Sequence, residues 1–215
     1  PLFMEILDYL LHIDKYLETL LNQYQNWFYI ILFLLIFIET GLVVMPFLPG
    51  DSLLFAAGML AAAFPDQLNI YIVLGLLWIA AILGDTVNYT SGKTLGTKLV
   101  TAKIFGKRII QDSAIQKTES FFQKYGSKTI VIARFVPIVR TLAPFVAGVS
   151  KMHYGTFIKY NLIGGTIWVV GITLAGYFLG TISIIKNNFE IVVMLIIAFS
   201  LIPIIIELIK SKSKK

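Results

Sequence analysis

Four charged side chains stand in stretches too apolar to hold them without a reason: Glu39, Asp51, Arg134 and Arg140. Each lies beside a proline or glycine break, Glu39 before Thr40-Gly41, Asp51 after Pro49-Gly50, and the two arginines on either side of Pro137. Two guanidiniums so spaced suit a phosphate, because Arg is the preferred bidentate phosphate donor and keeps its proton in a dry site where Lys can lose it. Helix N-termini following Gly50 and Arg140 would add backbone N–H donors to the same task. A carboxylic acid balanced between burial and a neighbouring Arg can exchange protons near the working pH, and Glu39 and Asp51 are the candidates for that part. Each of the four charges would cost about 2.5–3.5 kcal/mol at the centre of a lone helix in a bilayer, so they are expected to face one another or a wet cavity. The plainer alternative is that they are only ion pairs joining two segments, although apolar pairs would do that with less desolvation.

A second rank of candidates surrounds them. Asp85, in Gly84-Asp85, is read either as a cavity group or as a side chain that caps and solvates the end of its span. Lys93 is read as a snorkelling interfacial lysine before a ligand. Tyr89 could serve a cavity, against a background of sixteen Phe and ten Tyr that reads as packing and interfacial belts. His12 and His153, the only histidines, fall far apart on surface segments, so no metal site is expected. The chain has no cysteine, which removes disulfides, thiolate ligands and a cysteine nucleophile.

The elements that must position these groups follow from composition. Of 215 residues 57% are hydrophobic and 14% charged, against about 25% charged in soluble chains. A water-soluble globule is excluded, and the fold class is all-α integral membrane. Charge is split along the chain: residues 1–92 carry one base, Lys15, and eight acids, whereas 93–215 carry seventeen bases and four acids. In a membrane chain that asymmetry concerns orientation and lipid headgroups, not nucleic acid.

Pro1–Phe3 ahead of Met4 are expected to be foreign to the native chain, and no cleavable signal peptide is read after them. Residues 4–92 form a first unit. Within it, 5–24 reads as an interfacial amphipathic helix, with Ile6, Leu10, Ile13, Leu17, Leu20 and Tyr24 on one face. The runs 27–38 and 53–64 are each too short to cross about 30 Å of hydrocarbon. Joined through Pro46, Pro49 and Gly50, they read as a re-entrant hairpin, 27–64, whose irregular turn must be buried or line water. The span 68–91 follows. Residues 93–128 are a basic linker with a surface helix starting at Asp112 or Ser113 and ended by Gly126. A second hairpin, 129–149, is broken at Pro137, Pro144 and Gly148, and a second full span covers 157–185. Residues 186–215 supply a third span, near 189–209, and a basic tail. The positive-inside rule puts the linker and tail in the cytoplasm and, by parity, the N-terminal helix on the outer face.

The chain also repeats itself. Ala56-Ala57-Gly58 parallels Val146-Ala147-Gly148 and Ser91-Gly92 parallels Ala175-Gly176, each set closing a hairpin or a span. An odd number of crossings between the copies inverts the second, giving two facing hairpins and a site at their interface, a transporter architecture.

The residues Phe37-Ile38-Glu39-Thr40-Gly41, Pro46-Phe47-Leu48-Pro49-Gly50-Asp51, Gly84-Asp85 with Tyr89, Gly92-Lys93 and Gly96, and Arg134-Phe135-Val136-Pro137-Ile138-Val139-Arg140 with Ala147-Gly148 extend over almost the whole chain. Together they resemble the DedA family of bacterial membrane proteins, whose eukaryotic members are the VTT-domain scramblases. The resemblance implies facing re-entrant hairpins, lipid transport, and dependence on a proton or sodium gradient, with no other cofactor. It implies undecaprenyl phosphate or a phospholipid such as phosphatidylethanolamine as the lipid moved, in the bacterial plasma membrane. Family functional residues fall on Glu39, Asp51, Arg134 and Arg140, with Asp51 where many members have Glu.

The reading that results is a flippase for a phosphate-headgroup lipid, not an enzyme. General phospholipid scrambling or proton-coupled export is the alternative. A lipid pyrophosphatase is a lesser one, because the chain lacks paired Glu in the first turn and a Ser-Arg-Ser run. A pure scaffold would leave the buried charges unexplained. The partner is a membrane lipid, and a homo-oligomer is compatible with the sequence.

Overall fold

A computed structural model describes residues 13–42, 50–101, 103–104, 107–108, 112–182, 192 and 195. Its described elements are helical apart from one two-residue antiparallel ladder, Lys103–Ile104 (β1) with Lys107–Arg108 (β2). That ladder lies in the basic linker, where the sequence pointed only to connection and a surface helix.

The first helix, α1, spans Ile13–Gly41 and leaves helical geometry at Tyr24, with φ −129° and ψ 28°. The amphipathic and apolar segments expected as separate elements are thus joined end to end across a kink. Helix α2 spans Gly50–Ala63, and residues 43–49 before it, Pro46 and Pro49 included, lie outside those described.

Helix α3 runs Ile70–Thr101 and corrects the span expected at 68–91. Asn69 caps it, its Oδ1 accepting from the amides of Tyr71 at 2.9 Å and Ile72 at 3.4 Å. In the polar stretch after Gly84 the helix continues, and Thr86, Thr90, Ser91 and Thr94 each donate a hydroxyl to the carbonyl four residues earlier. Polar groups so occupied no longer compete for the backbone. Two residues placed near a span end therefore move: Asp85 sits mid-helix, and Lys93 is on the helix and not on the linker.

Helix α4, Asp112–Tyr125, is amphipathic and stops at Gly126, whose φ of +56° is the left-handed conformation that closes a helix. Next come a 3₁₀ turn at Gly126–Lys128, the one-turn helix α5 (Thr129–Ile132) and a second 3₁₀ turn at Ala133–Phe135. Val136 is extended, at φ −121° and ψ 104°, as the residue before a proline prefers. Pro137 then opens α6, Pro137–Val149, from the first position, where a missing N–H costs nothing. Pro144 and Gly148, expected as breaks, lie inside α6. Helix α7 covers Tyr154–Gly180, close to the span expected at 157–185. His153 caps it, its carbonyl accepting from Thr156 and Phe157 at 3.0 and 3.1 Å. Of the third span expected near 189–209, all but residues 192 and 195 lie outside the described residues.

Two stretches, Ile70–Gly96 and Tyr154–Gly180, are long and apolar enough to cross a bilayer, each about 40 Å at 1.5 Å per residue. Helices α1, α3 and α7 each contribute to two compact units. One comprises residues 1–32, 49–76 and 172–215. Its core gathers Leu21, Met59, Leu60, Ala61 and Leu68, and α2 meets α7 with backbone almost touching backbone. A Cβ at Gly58 would collide with the Thr173 carbonyl, and one at Gly176 with the Phe55 carbonyl. The other unit comprises residues 33–48 and 77–171. Tyr89, Ile130, Ala133, Val139, Ala143, Ala147 and Phe157 form its main core, backed by Phe121 and Phe122 of α4. Here α6 meets α3 in the same way: a Cβ at Gly148 would strike the Tyr89 carbonyl and lie 2.7 Å from the Lys93 amide nitrogen, and one at Gly92 would strike the Phe145 carbonyl.

Candidate functional site

The charged cluster belongs to the second unit. Arg134 sits where the chain tightens from α5 into a 3₁₀ turn just before the extended Val136. That local geometry turns consecutive side chains in opposite directions: Arg134 is 4% exposed and Phe135 57%. A buried arginine beside an outward phenylalanine inverts the rule for chains in water and fits a chain surrounded by lipid.

One guanidinium nitrogen of Arg134 donates to both the Asp85 carboxylate on α3 and the Asn161 amide oxygen on α7. Asn161 in turn donates to the Ile82 carbonyl at 3.2 Å, so it ties α7 to α3 while holding Arg134. The arginine lies along Gly164, where a Cβ would come within 3.1 Å of its Cδ and Nε. Its Nε is buried with no hydrogen-bond partner among the described residues.

Arg140 projects from the first turn of α6 and pairs with Glu39 in the last turn of α1. That end of α1 is seated on α3 by another close approach, since a Cβ at Gly84 would collide with the Thr40 hydroxyl and come within 2.9 Å of the Phe37 carbonyl. Both guanidiniums share the face of Trp168, which is fully buried on α7. The Cζ of Arg140 lies 4.2 Å and that of Arg134 5.6 Å from the ring centroid, inside the range of cation–π attraction. Two acids and two bases are thus gathered around one indole, with formal charges that cancel.

The sequence candidates are distributed as follows. Glu39, Arg134 and Arg140 come together, with Asp85 as the second acid. Asp51 lies in the first turn of α2, in the other unit, with an exposed side chain. Lys93 is exposed. Tyr89 is buried in the core, where its hydroxyl donates to the Met152 carbonyl and its ring stacks on Phe157 at 4.5 Å. Gly50 and Pro137 begin α2 and α6. Among the described residues no three His, Cys, Asp or Glu side chains gather as a metal site would require.

Three participants escaped the sequence reading: Asn161, Trp168 and Asn88, which bonds to the backbone beside Glu39 and Arg140. Asn88 and Asn161 carried a signal, an amide in an otherwise apolar span, where polar groups need partners as charges do. Trp168 carried none, because a tryptophan among lipid-facing aromatics looks the same in sequence wherever it points.

Comparison with known proteins places the chain in a family. The VTT domain matches residues 48–178, a stretch that holds both arginines, Asp85 and Trp168. Protein DedA of Escherichia coli is 50% identical over 207 residues, covering 96% of this chain and 94% of that protein. The chain belongs to the DedA family. Other DedA-family relatives include an uncharacterized membrane protein of Mycobacterium tuberculosis, 39% identical over 174 residues (81% of this chain, 75% of that one). The inner membrane protein YqjA of Escherichia coli is 35% identical over 168 residues (76% and 73%). No solved structure matches. Long apolar helices and relatives named as membrane proteins agree that this DedA-family chain resides in a membrane.

Proposed function

We propose that this protein is a transporter that moves a phosphate-headgroup lipid, undecaprenyl phosphate foremost, across the bacterial plasma membrane with coupling to protons or sodium. The observation that carries the reading is the charge-balanced cluster of Glu39, Asp85, Arg134 and Arg140 around Trp168. At balance, an arriving phosphate adds uncompensated negative charge to a low-dielectric site, which is costly. A proton taken up by one carboxylate removes that cost and releases its guanidinium to the phosphate, so headgroup and proton enter together. Glu39, which pairs with the less buried of the two arginines, is the acid we assign to this step, and Arg134 with Arg140 form the clamp.

The fold supports the same reading. Helix α2 and the apolar part of α6 are short apolar helices, suited to half-depth hairpins. The close approach of α2 to α7 at Gly58 and Gly176 has its counterpart in that of α6 to α3 at Gly148 and Gly92, and the sequence repeat relates Gly58 to Gly148 and Gly176 to Gly92, as an inverted repeat would. A prenyl tail stays in hydrocarbon throughout, so only the head needs a path.

The test is headgroup movement by purified protein in vesicles. Undecaprenyl phosphate should cross faster than a zwitterionic lipid, and Arg134→Ala or Arg140→Ala should slow it by about 10- to 100-fold, the cost of losing a charge-assisted donor. Equal rates for wild type and both variants would end the clamp idea, and equal rates for the two lipids would replace it with general scrambling.

A further inference from the structure

Asn88 is fully buried on α3. Its amide nitrogen donates to two backbone carbonyls, Thr40 at 3.0 Å and Thr141 at 2.9 Å, each next in sequence to one partner of the Glu39–Arg140 pair. One acceptor sits where a helix leaves its backbone under-used, and the other sits about one turn before a proline inside its helix. Thr40 belongs to the last turn of α1, whose carbonyls lack helical donors. Thr141 is in the turn of α6 crowded by Pro144, which also has no N–H for the Arg140 carbonyl. With both amide protons committed, the orientation of the side chain is fixed, and its Oδ1 is left buried without a hydrogen-bond partner among the described residues. Tolerating an orphan acceptor in order to place two donors marks the donors as the purpose.

We propose that Asn88 is the positioning residue of the Glu39–Arg140 pair. It joins the backbone at residue 40 to the backbone at residue 141 through an amide, which no proton titrates. The ion pair can then open when Glu39 takes up a proton while its two segments stay in register. The geometry of this tie stands by itself, and its purpose rests on the transport reading above.

The chain has no cysteine, so spin labels at Ile38→Cys on α1 and Val149→Cys on α6, both at exposed positions, report the separation of the two segments in full-length protein in lipid nanodiscs. Glu39→Gln, which removes the ion pair, should leave the distance distribution of the parent unchanged. Adding Asn88→Leu should broaden it to about twice its width as untied segments sample more than one arrangement. Asn88→Ser, which is small and keeps one donor, should fall between them and serves if the leucine variant does not fold. In vesicles Asn88→Ser should lower the maximal transport rate about tenfold with little change in KM, as misplacement and not lost binding does. The proposal is overturned if Glu39→Gln alone separates the segments, or if Glu39→Gln with either Asn88 substitution leaves them together. Absence of phosphate-lipid transport by the parent would instead defeat the transport reading, and the distance measurement would still decide the tie.

Discussion

Removing the acid of the inner ion pair gives the sharpest test of how the cluster is held. Asp85→Asn leaves Arg134 charged, buried and without its counter-ion. Breaking a buried pair from one side costs about 3–5 kcal/mol. The lower end applies, because the new amide keeps an acceptor for Arg134, Asn161 still binds the guanidinium, and Trp168 still offers its ring. At about 2–4 °C per kcal/mol for a chain of this size, a loss near 3 kcal/mol lowers the unfolding midpoint by about 6–12 °C. Arg134→Gln alone should cost less, since an unpaired carboxylic acid can neutralise itself by binding a proton and an arginine cannot shed one. Combining the two substitutions removes both charges from the interior, and the double variant should regain at least half of what Asp85→Asn lost. Thermal unfolding in one detergent or nanodisc, followed by fluorescence, measures all four corners of the cycle. Strict additivity, with the double variant less stable than either single one, would refute the claim that these groups stabilise each other through charge.

Two other expectations follow from the second unit. Tyr89→Phe removes the hydroxyl that donates to Met152 and keeps the stack on Phe157; it should cost about 1 kcal/mol of stability and leave lipid transport intact, and a transport defect at normal stability would return Tyr89 to the site. Gly148→Val forces a branched side chain into the Tyr89 carbonyl and should destabilise by about 1–3 kcal/mol or more, with the same loss at Gly58→Val, whereas Gly171→Val, with no atom near its Cβ position, should fold normally in the same thermal assay.

Much of the architecture was legible because membranes simplify the rules. Run lengths separated α2 and the apolar end of α1 from the two long spans, and Pro137 announced the break at Val136 through steric exclusion alone. Gly126 marked the end of α4 for the same local reason. Errors arose where local signals were ambiguous. Ser, Thr and Gly after Gly84 look like the end of a span, yet α3 ran on with their hydroxyls folded back onto the helix, and Asp85 came to lie deep in place of near an end. Pro144 looks like a stop, yet α6 is anchored on both sides of it by Val139, Phe145 and Ala147, all buried. At the site, the charges were readable because each was expensive where it stood. Which acid would meet which base was not, since that depends on tertiary geometry; neither were the uncharged groups, whose cost in sequence is small.

The indole shared by Arg134 and Arg140 makes the electrostatics of this cluster adjustable without changing its shape. A cation is drawn to the ring by the electron density over its face, and successive fluorine substitutions on tryptophan withdraw that density while barely altering its volume. The chain carries only three tryptophans, Trp27, Trp78 and Trp168, so replacing the first two leaves one position at which a graded set of fluorinated residues reports. The affinity of the two guanidiniums for their resting place thereby becomes a continuous variable, and on the transport reading proposed above a plot of transport rate against ring electron density would read out how far the arginines leave the ring in each cycle.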